Sequence, residues 1–113
     1  MSPITSHVLD TALGGPAVGL PLQLEHEVAN GIWKILASCT TNQDGRAPDL
    51  LPEGSLERGR YRMVFDTASY HRAVGQRVFY PEVTIVFEIE AATEHYHIPL
   101  LLSPFGYSTY RGS

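Results

Sequence analysis

His95-Tyr96-His97-Ile98-Pro99-Leu100-Leu101-Leu102-Ser103-Pro104-Phe105-Gly106-Tyr107-Ser108-Thr109-Tyr110-Arg111-Gly112-Ser113 reads as two strands joined by a tight turn. Ser103-Pro104-Phe105-Gly106 suits a type I turn, with proline at its second position and glycine at its fourth. The turn sets the register of the hairpin. Pairing Leu102 with Tyr107 places Leu101 opposite Ser108, Pro99 opposite Tyr110 and His97 opposite Gly112. Side chains alternate across a strand, so residues of one parity share a face. His97, Pro99, Leu101, Ser108 and Tyr110 are therefore predicted to line one surface. Pro99 has no N–H to give to a ladder, which favours an edge or an irregular pairing there.

Upstream of the hairpin the apolar pattern again has period two, the mark of half-buried strands. Leu20, Leu22, Leu24 and Val28 alternate with Pro21, Gln23, Glu25 and Glu27. Trp33, Ile35 and Ala37 are read as one face of the next strand, with Lys34 on the other. Tyr61, Met63 and Phe65 form a third set, and Val83, Ile85, Phe87 and Ile89 a fourth. Gly14-Gly15-Pro16, Asn30-Gly31, Asn42 to Gly45 and Pro52-Glu53-Gly54 are turn signals between them. One short helix is predicted. Asp66 caps it, Tyr70, Ala73 and Val74 share a face, and Gly75 stops it. Short strands with regularly spaced turns predict an all-β sandwich.

With 113 residues the chain is read as a single domain, 1–113. An apolar share of 43% against 18% charged residues supports a packed core and argues against disorder. The net charge of −4 argues against a nucleic-acid partner. The longest apolar run, Ile98 to Leu102, is too short to span a bilayer, so no membrane partner is expected. One cysteine, Cys39, allows no disulfide within the chain. Neither a secretory signal nor a peroxisomal Ser-Lys-Leu terminus is read, which makes the cytoplasm the expected compartment.

The candidate chemistry lies in five histidines, His7, His26, His71, His95 and His97. Histidine titrates near neutral pH and serves as general acid or base. His26, at the end of an apolar strand face, is read as structural, and His71 as an exposed helix residue. His95 and His97 form a His-X-His pair on one strand face, two ligands of a zinc site that needs three or four. No third ligand is spaced for it, so no metal is expected. Hairpin pairing holds His97 against Gly112 and leaves His95 at a frayed, solvated end. Arg46, just past the turn at Asn42 to Gly45, is by composition a solvated arginine. No Gly-X-Ser-X-Gly elbow and no phosphate-binding glycine loop are present.

Both ends of the chain carry a resemblance. Ser6-His7-Val8-Leu9-Asp10, followed by Gly14-Gly15-Pro16-Ala17, resembles the opening of the transthyretin-like family, and residues 95–113 resemble its close. Tyr110-Arg111-Gly112-Ser113 is similar to the terminal signature of the hydroxyisourate hydrolase branch. Gly45-Arg46 and Phe65-Asp66-Thr67 agree with the same family. Transthyretin itself differs at the polar positions, with a lysine where this chain has His7, a glutamate at Arg46 and threonines at His97 and Tyr110.

The resemblance implies a sandwich of two four-stranded antiparallel sheets with one short helix, and a homotetramer built as a dimer of dimers around a channel. It implies cofactor-free, metal-independent hydrolysis of 5-hydroxyisourate in urate breakdown. His7 and His97 would be the acid–base groups and Arg46 would bind substrate. Tyr110 and Ser113 would bind substrate or orient a histidine, and Arg111 would position the terminus. Two other classes remain open at this point. One is a carrier with an apolar site, and the other a structural sandwich that contacts partners through its edges.

Overall fold

A computed structural model describes all of residues Met1–Ser113. The chain forms nine strands and one helix: β1 (Ile4–Asp10), β2 (Gly15–Pro16), β3 (Pro21–Ala29), β4 (Ile32–Thr40), β5 (Arg46–Ala47), β6 (Gly59–Phe65), α1 (Thr67–Ala73), β7 (Val83–Ile89), β8 (Tyr96–Ser103) and β9 (Gly106–Thr109). They make two packed sheets, as the period-two pattern predicts. One sheet has the order β4-β3-β6-β7 and is antiparallel throughout. The other has the order β2-β1-β8-β9, with β5 also paired to β1.

Two details differ from the expected pair of four-stranded antiparallel sheets. The second sheet has five strands, because the two-residue β2 and β5 share one edge of β1: Leu9 pairs with Pro16, and His7 with Arg46. Its central pair, β1 and β8, is parallel, running from Ile4 opposite Tyr96 to Asp10 opposite Leu102. A parallel pair needs a long connection. Here the connection is almost the whole sandwich, so the pairing joins residues far apart in sequence.

Between the sheets lie Ile4 and Val8 of β1, Leu22 and Leu24 of β3, Tyr61, Met63 and Phe65 of β6, and Ile98, Leu100 and Leu102 of β8. Burying each of these large side chains stabilises the fold by roughly 1.5–3 kcal/mol. The faces predicted for β6 and β7 hold: Val83 and Ile89 are buried and Ile85 and Phe87 pack against the core.

The face predicted for β4 does not hold. A register shift sets Leu24 opposite Ala37 and Glu25 opposite Ile35, so Leu36 is an extra residue. The bulge turns Leu36 and Ala37 toward the core and leaves Ile35 56% exposed. A second shift, after Glu27, leaves Val28 exposed as well.

Asp66 caps α1 through its carboxylate, which accepts from the Ser69 N–H, and Gly75 adopts φ 74° just past the end. The buried face is not the predicted one, however. It comprises Thr67, Ala68, Tyr70 and His71, while Ala73 and Val74 are exposed. His71 is 0% exposed rather than a surface residue. The helix is held down by polar contacts. Tyr70 Oη donates to Asp10 Oδ2 at 2.6 Å, Gln76 Nε2 donates to the same oxygen at 3.0 Å, and His71 Nδ1 lies 2.8 Å from Gln76 Oε1. A purely apolar pattern does not register these contacts.

Candidate active site

The terminal hairpin has the register its turn demands. Leu102 pairs with Tyr107, Leu101 with Ser108, and beyond a gap His97 bridges to Gly112, whose N–H donates to the His97 carbonyl at 2.9 Å. The gap falls at Pro99, which has no N–H for the Tyr110 carbonyl.

Core residues Tyr96, Ile98, Leu100 and Leu102 alternate along β8 with His97, Pro99 and Leu101, which face away from the core. On the neighbouring β1, Thr5 lies opposite His97, and His7 opposite Pro99. On the far edge of β1, Arg46 of β5 lies opposite His7. His7, Arg46 and His97 therefore share the outer face of one sheet, although they come from positions far apart in the sequence.

Two glycines make this approach possible. Gly45 sits at φ 74°, and a Cβ there would lie 2.5 Å from the Val8 carbonyl oxygen, so only glycine lets the turn deliver Arg46 beside His7. A Cβ on Gly112 would lie 2.5 Å from His97 Cδ2 and 3.2 Å from Pro99 Cγ. The terminus thus lies directly against the imidazole because residue 112 has no side chain.

The electrostatics of His97 are lopsided. Burial lowers its pKa below the ordinary 6.5, and the charges of Arg46, His7 and His95 lower it further. No carboxylate opposes them. The imidazole is therefore held neutral near pH 7, the form a general base requires. Its Nδ1 shares a 2.8 Å hydrogen bond with Thr5 Oγ1, and its Nε2 has no hydrogen-bond partner within the chain. His95, expected at a frayed end, is exposed but not free. Its ring lies 6.4 Å from that of His97 at an interplanar angle of 17°, and its Nε2 is 3.1 Å from the same Thr5 oxygen.

The profile of the HIUase/Transthyretin family matches residues 4–112. The chain is 50% identical over 113 residues to the 5-hydroxyisourate hydrolase of Mus musculus, covering 99% of this chain and 96% of that one. The chain belongs to the HIUase/Transthyretin family. Among solved structures, a 5-hydroxyisourate hydrolase from Klebsiella pneumoniae superimposes with a TM-score of 0.86 at 34% identity, over 100% of both chains. Sea bream transthyretin in complex with thyroxine superimposes with a TM-score of 0.92 at 32% identity, over 98% of this chain and 95% of that one. A protein named as a hydrolase and a transthyretin solved with thyroxine thus share this backbone.

Not every residue expected at the site joins it in the same way. His26 stacks on Tyr61 at 4.2 Å in the other sheet, in keeping with a structural role. The irregular stretch after Thr109 frees Tyr110 from strict alternation. It lines a cleft at the open edge of the sandwich with Phe87, Tyr96 and Arg111. Arg111 lies 4.4 Å over the Tyr96 ring and donates to Glu94 Oε1 at 2.9 Å, which ties the terminus to the segment before β8. Ser113 is exposed beside Gly112. No group of three His, Cys, Asp or Glu side chains within the chain is placed to hold a metal ion. No helix is long and apolar enough to cross a membrane. The residue that sequence reasoning missed is Thr5. Its signal was its parity with His7 on β1, which becomes readable only once β1 is known to lie beside β8.

Proposed function

We propose that the chain hydrolyses 5-hydroxyisourate to 2-oxo-4-hydroxy-4-carboxy-5-ureidoimidazoline in urate breakdown. The observation that carries the reading is the meeting of an exposed Arg46 with the half-buried His7 and a neutral-leaning His97 on one face. The named activity of relatives at 50% and 44% identity supports it.

Opening a cyclic amide requires a base to take a proton from water, a donor for the oxyanion and an acid for the departing nitrogen. His97 in its neutral form and His7 divide the proton transfers. Arg46 holds the planar, polar substrate through its rigid fork of N–H groups. Ser113, beside Gly112, completes the binding surface, and the side chains account for the chemistry without a metal or cofactor.

The proposed assembly is a homotetramer. Phe79, Phe105, Tyr107 and Tyr110 are large apolar side chains left exposed, several of them along β9 and its turn. Open strand edges with apolar residues beside them favour pairing between copies. The cytoplasm is the proposed compartment, and the exposed lone thiol of Cys39 suits a reducing one.

The test is a coupled absorbance assay in which urate oxidase generates 5-hydroxyisourate and its decay is followed with and without the protein. Acceleration proportional to protein concentration supports the hydrolase. Decay at the spontaneous rate, with a folded tetramer seen by gel filtration, sinks it and leaves a carrier like transthyretin.

A further inference from the structure

Thr5 Oγ1 sits between two imidazoles, 2.8 Å from His97 Nδ1 and 3.1 Å from His95 Nε2. A hydroxyl has one proton to donate. If it donates to one ring nitrogen, it must accept from the other. The protonation of the two histidines is therefore linked, and of the two arrangements in which Thr5 donates to a ring only one leaves His97 useful as a base. When Thr5 donates to His97 Nδ1, the neutral ring carries its own proton on Nε2 and has no free lone pair for water. When His97 Nδ1–H donates to Thr5 and Thr5 donates to His95 Nε2, the Nε2 lone pair of His97 is open.

This arrangement is built into the fold. Thr5 and His97 are partners across the parallel β1–β8 pair, which aims both side chains to the same face. His95 lies on that face two residues upstream, its ring nearly parallel to that of His97. Gly112 closes the other side of the ring, where no Cβ fits.

We propose that Thr5 is a positioning residue for His97. Backed by His95, it fixes the Nδ1–H tautomer that makes Nε2 the base. The inference rests on the hydrolase reading. Water cleaves the amide C–N bond and forms a C–O bond. One proton of the water goes to the departing nitrogen, and the second is lost from the new carboxylic acid at neutral pH. A ureide nitrogen is not basic enough to keep that second proton, so each turnover must export one. That proton is released to solvent, and His97 keeps its Nδ1–H on Thr5 throughout, so that Nε2 is free again for the next turnover.

The experiment has two arms. The first needs no activity: nitrogen-15 NMR of the histidine side chains at a pH where His97 is neutral. The expected result is a proton on Nδ1 of His97 in the wild type and a mixed tautomer in Thr5→Val. A wild-type His97 carrying its proton on Nε2 overturns the proposal, whatever the enzyme does.

The second arm measures kcat, KM and the pH profile. Thr5→Val, which keeps the shape but not the hydroxyl, is expected to lower kcat roughly tenfold, the rate equivalent of one hydrogen bond. KM should be little changed, and Thr5→Ser should restore the rate. The charged or titratable groups acting on His97 are Arg46 from β5, His7 from β1 and His95 before β8. All remain in the variant, so any change in the low-pH limb reports the lost hydroxyl. A Thr5→Val enzyme with wild-type kcat and pH profile overturns the proposal and leaves the hydrolase reading standing. A wild-type protein that does not accelerate decay removes the hydrolase reading, while the tautomer measurement still decides the role of Thr5.

Discussion

The two ends of β1 hold polar side chains on opposite terms. Asp10, at the inner end, is 1% exposed, and its carboxylate is fully answered: Ala12 and Leu13 donate backbone N–H groups to Oδ1, and Tyr70 and Gln76 donate to Oδ2. At the other end, Thr5 and His7 lie with Arg46 and His97 on the outer face, where the charges around His97 are all cationic. Burial raises the pKa of Asp10, but its four donors outweigh this and the net shift is downward. At His97, burial and neighbouring charge push the same way. Asp10, which serves the fold, has its bonds completed. His97, poised for chemistry, keeps a free nitrogen and an unfavourable charged state.

The sharpest way to break this contrast is to remove one group from each end. His97→Ala is expected to cut kcat/KM by about a hundredfold to ten-thousandfold while the melting temperature stays near wild type. An active variant, or one that unfolds, would put His97 with the structural groups.

Asp10→Ala should do the reverse. It strands two backbone N–H groups, the Tyr70 hydroxyl and the Gln76 amide, and should cost about 3 kcal/mol in denaturant unfolding. A loss below about 1 kcal/mol would show that water replaces the carboxylate. The sign of its pH dependence follows from the lowered pKa. Asp10 contributes stability above its ordinary value of 3.8, and that contribution is lost as the pH falls through the lower folded value. Acid unfolding of the wild type should therefore steepen below that point and be absent as a component in Asp10→Ala.

Gly112→Ala tests the site through shape alone. The new methyl must displace the His97 ring or the terminus, and a shift of about 1 Å is worth up to a hundredfold in rate. Activity equal to wild type would mean that the terminus moves freely. The smallest expected effect concerns the low-pH limb of kcat/KM, which should lie below 6.5 in the wild type. Arg46→Gln removes one cation, so the limb should move up. It should stay below 6.5, because burial is the larger cause. An unmoved limb would separate Arg46 from His97.

Much of one hairpin was legible without coordinates. The turn at Pro104 and Gly106 sets a register, and the alternation that follows puts His97 opposite Gly112, as observed. The same local rule identified the Asp66 cap and the faces of β6 and β7. It failed where a bulge interrupts the period, at Leu36, and where polar contacts bury a residue that pattern assigns to solvent, at His71. It also could not place Tyr110, which leaves the alternation once Pro99 breaks the ladder.

Determined by sequence alone were the strand periods of β6 and β7, the hairpin register, the candidate residues and, through the motifs at both ends, the family. These depend on neighbours within a few positions, where turn geometry and alternation leave little choice. What only the tertiary structure decided was the meeting of His7, Arg46, Thr5 and His97 on one face. It arises from a parallel β1–β8 pair and a two-residue β5 on the far edge of β1. Nothing local specifies that β1 lies beside a strand some ninety residues away. The shared core, which buries Val8 and Leu100 together between the sheets, does.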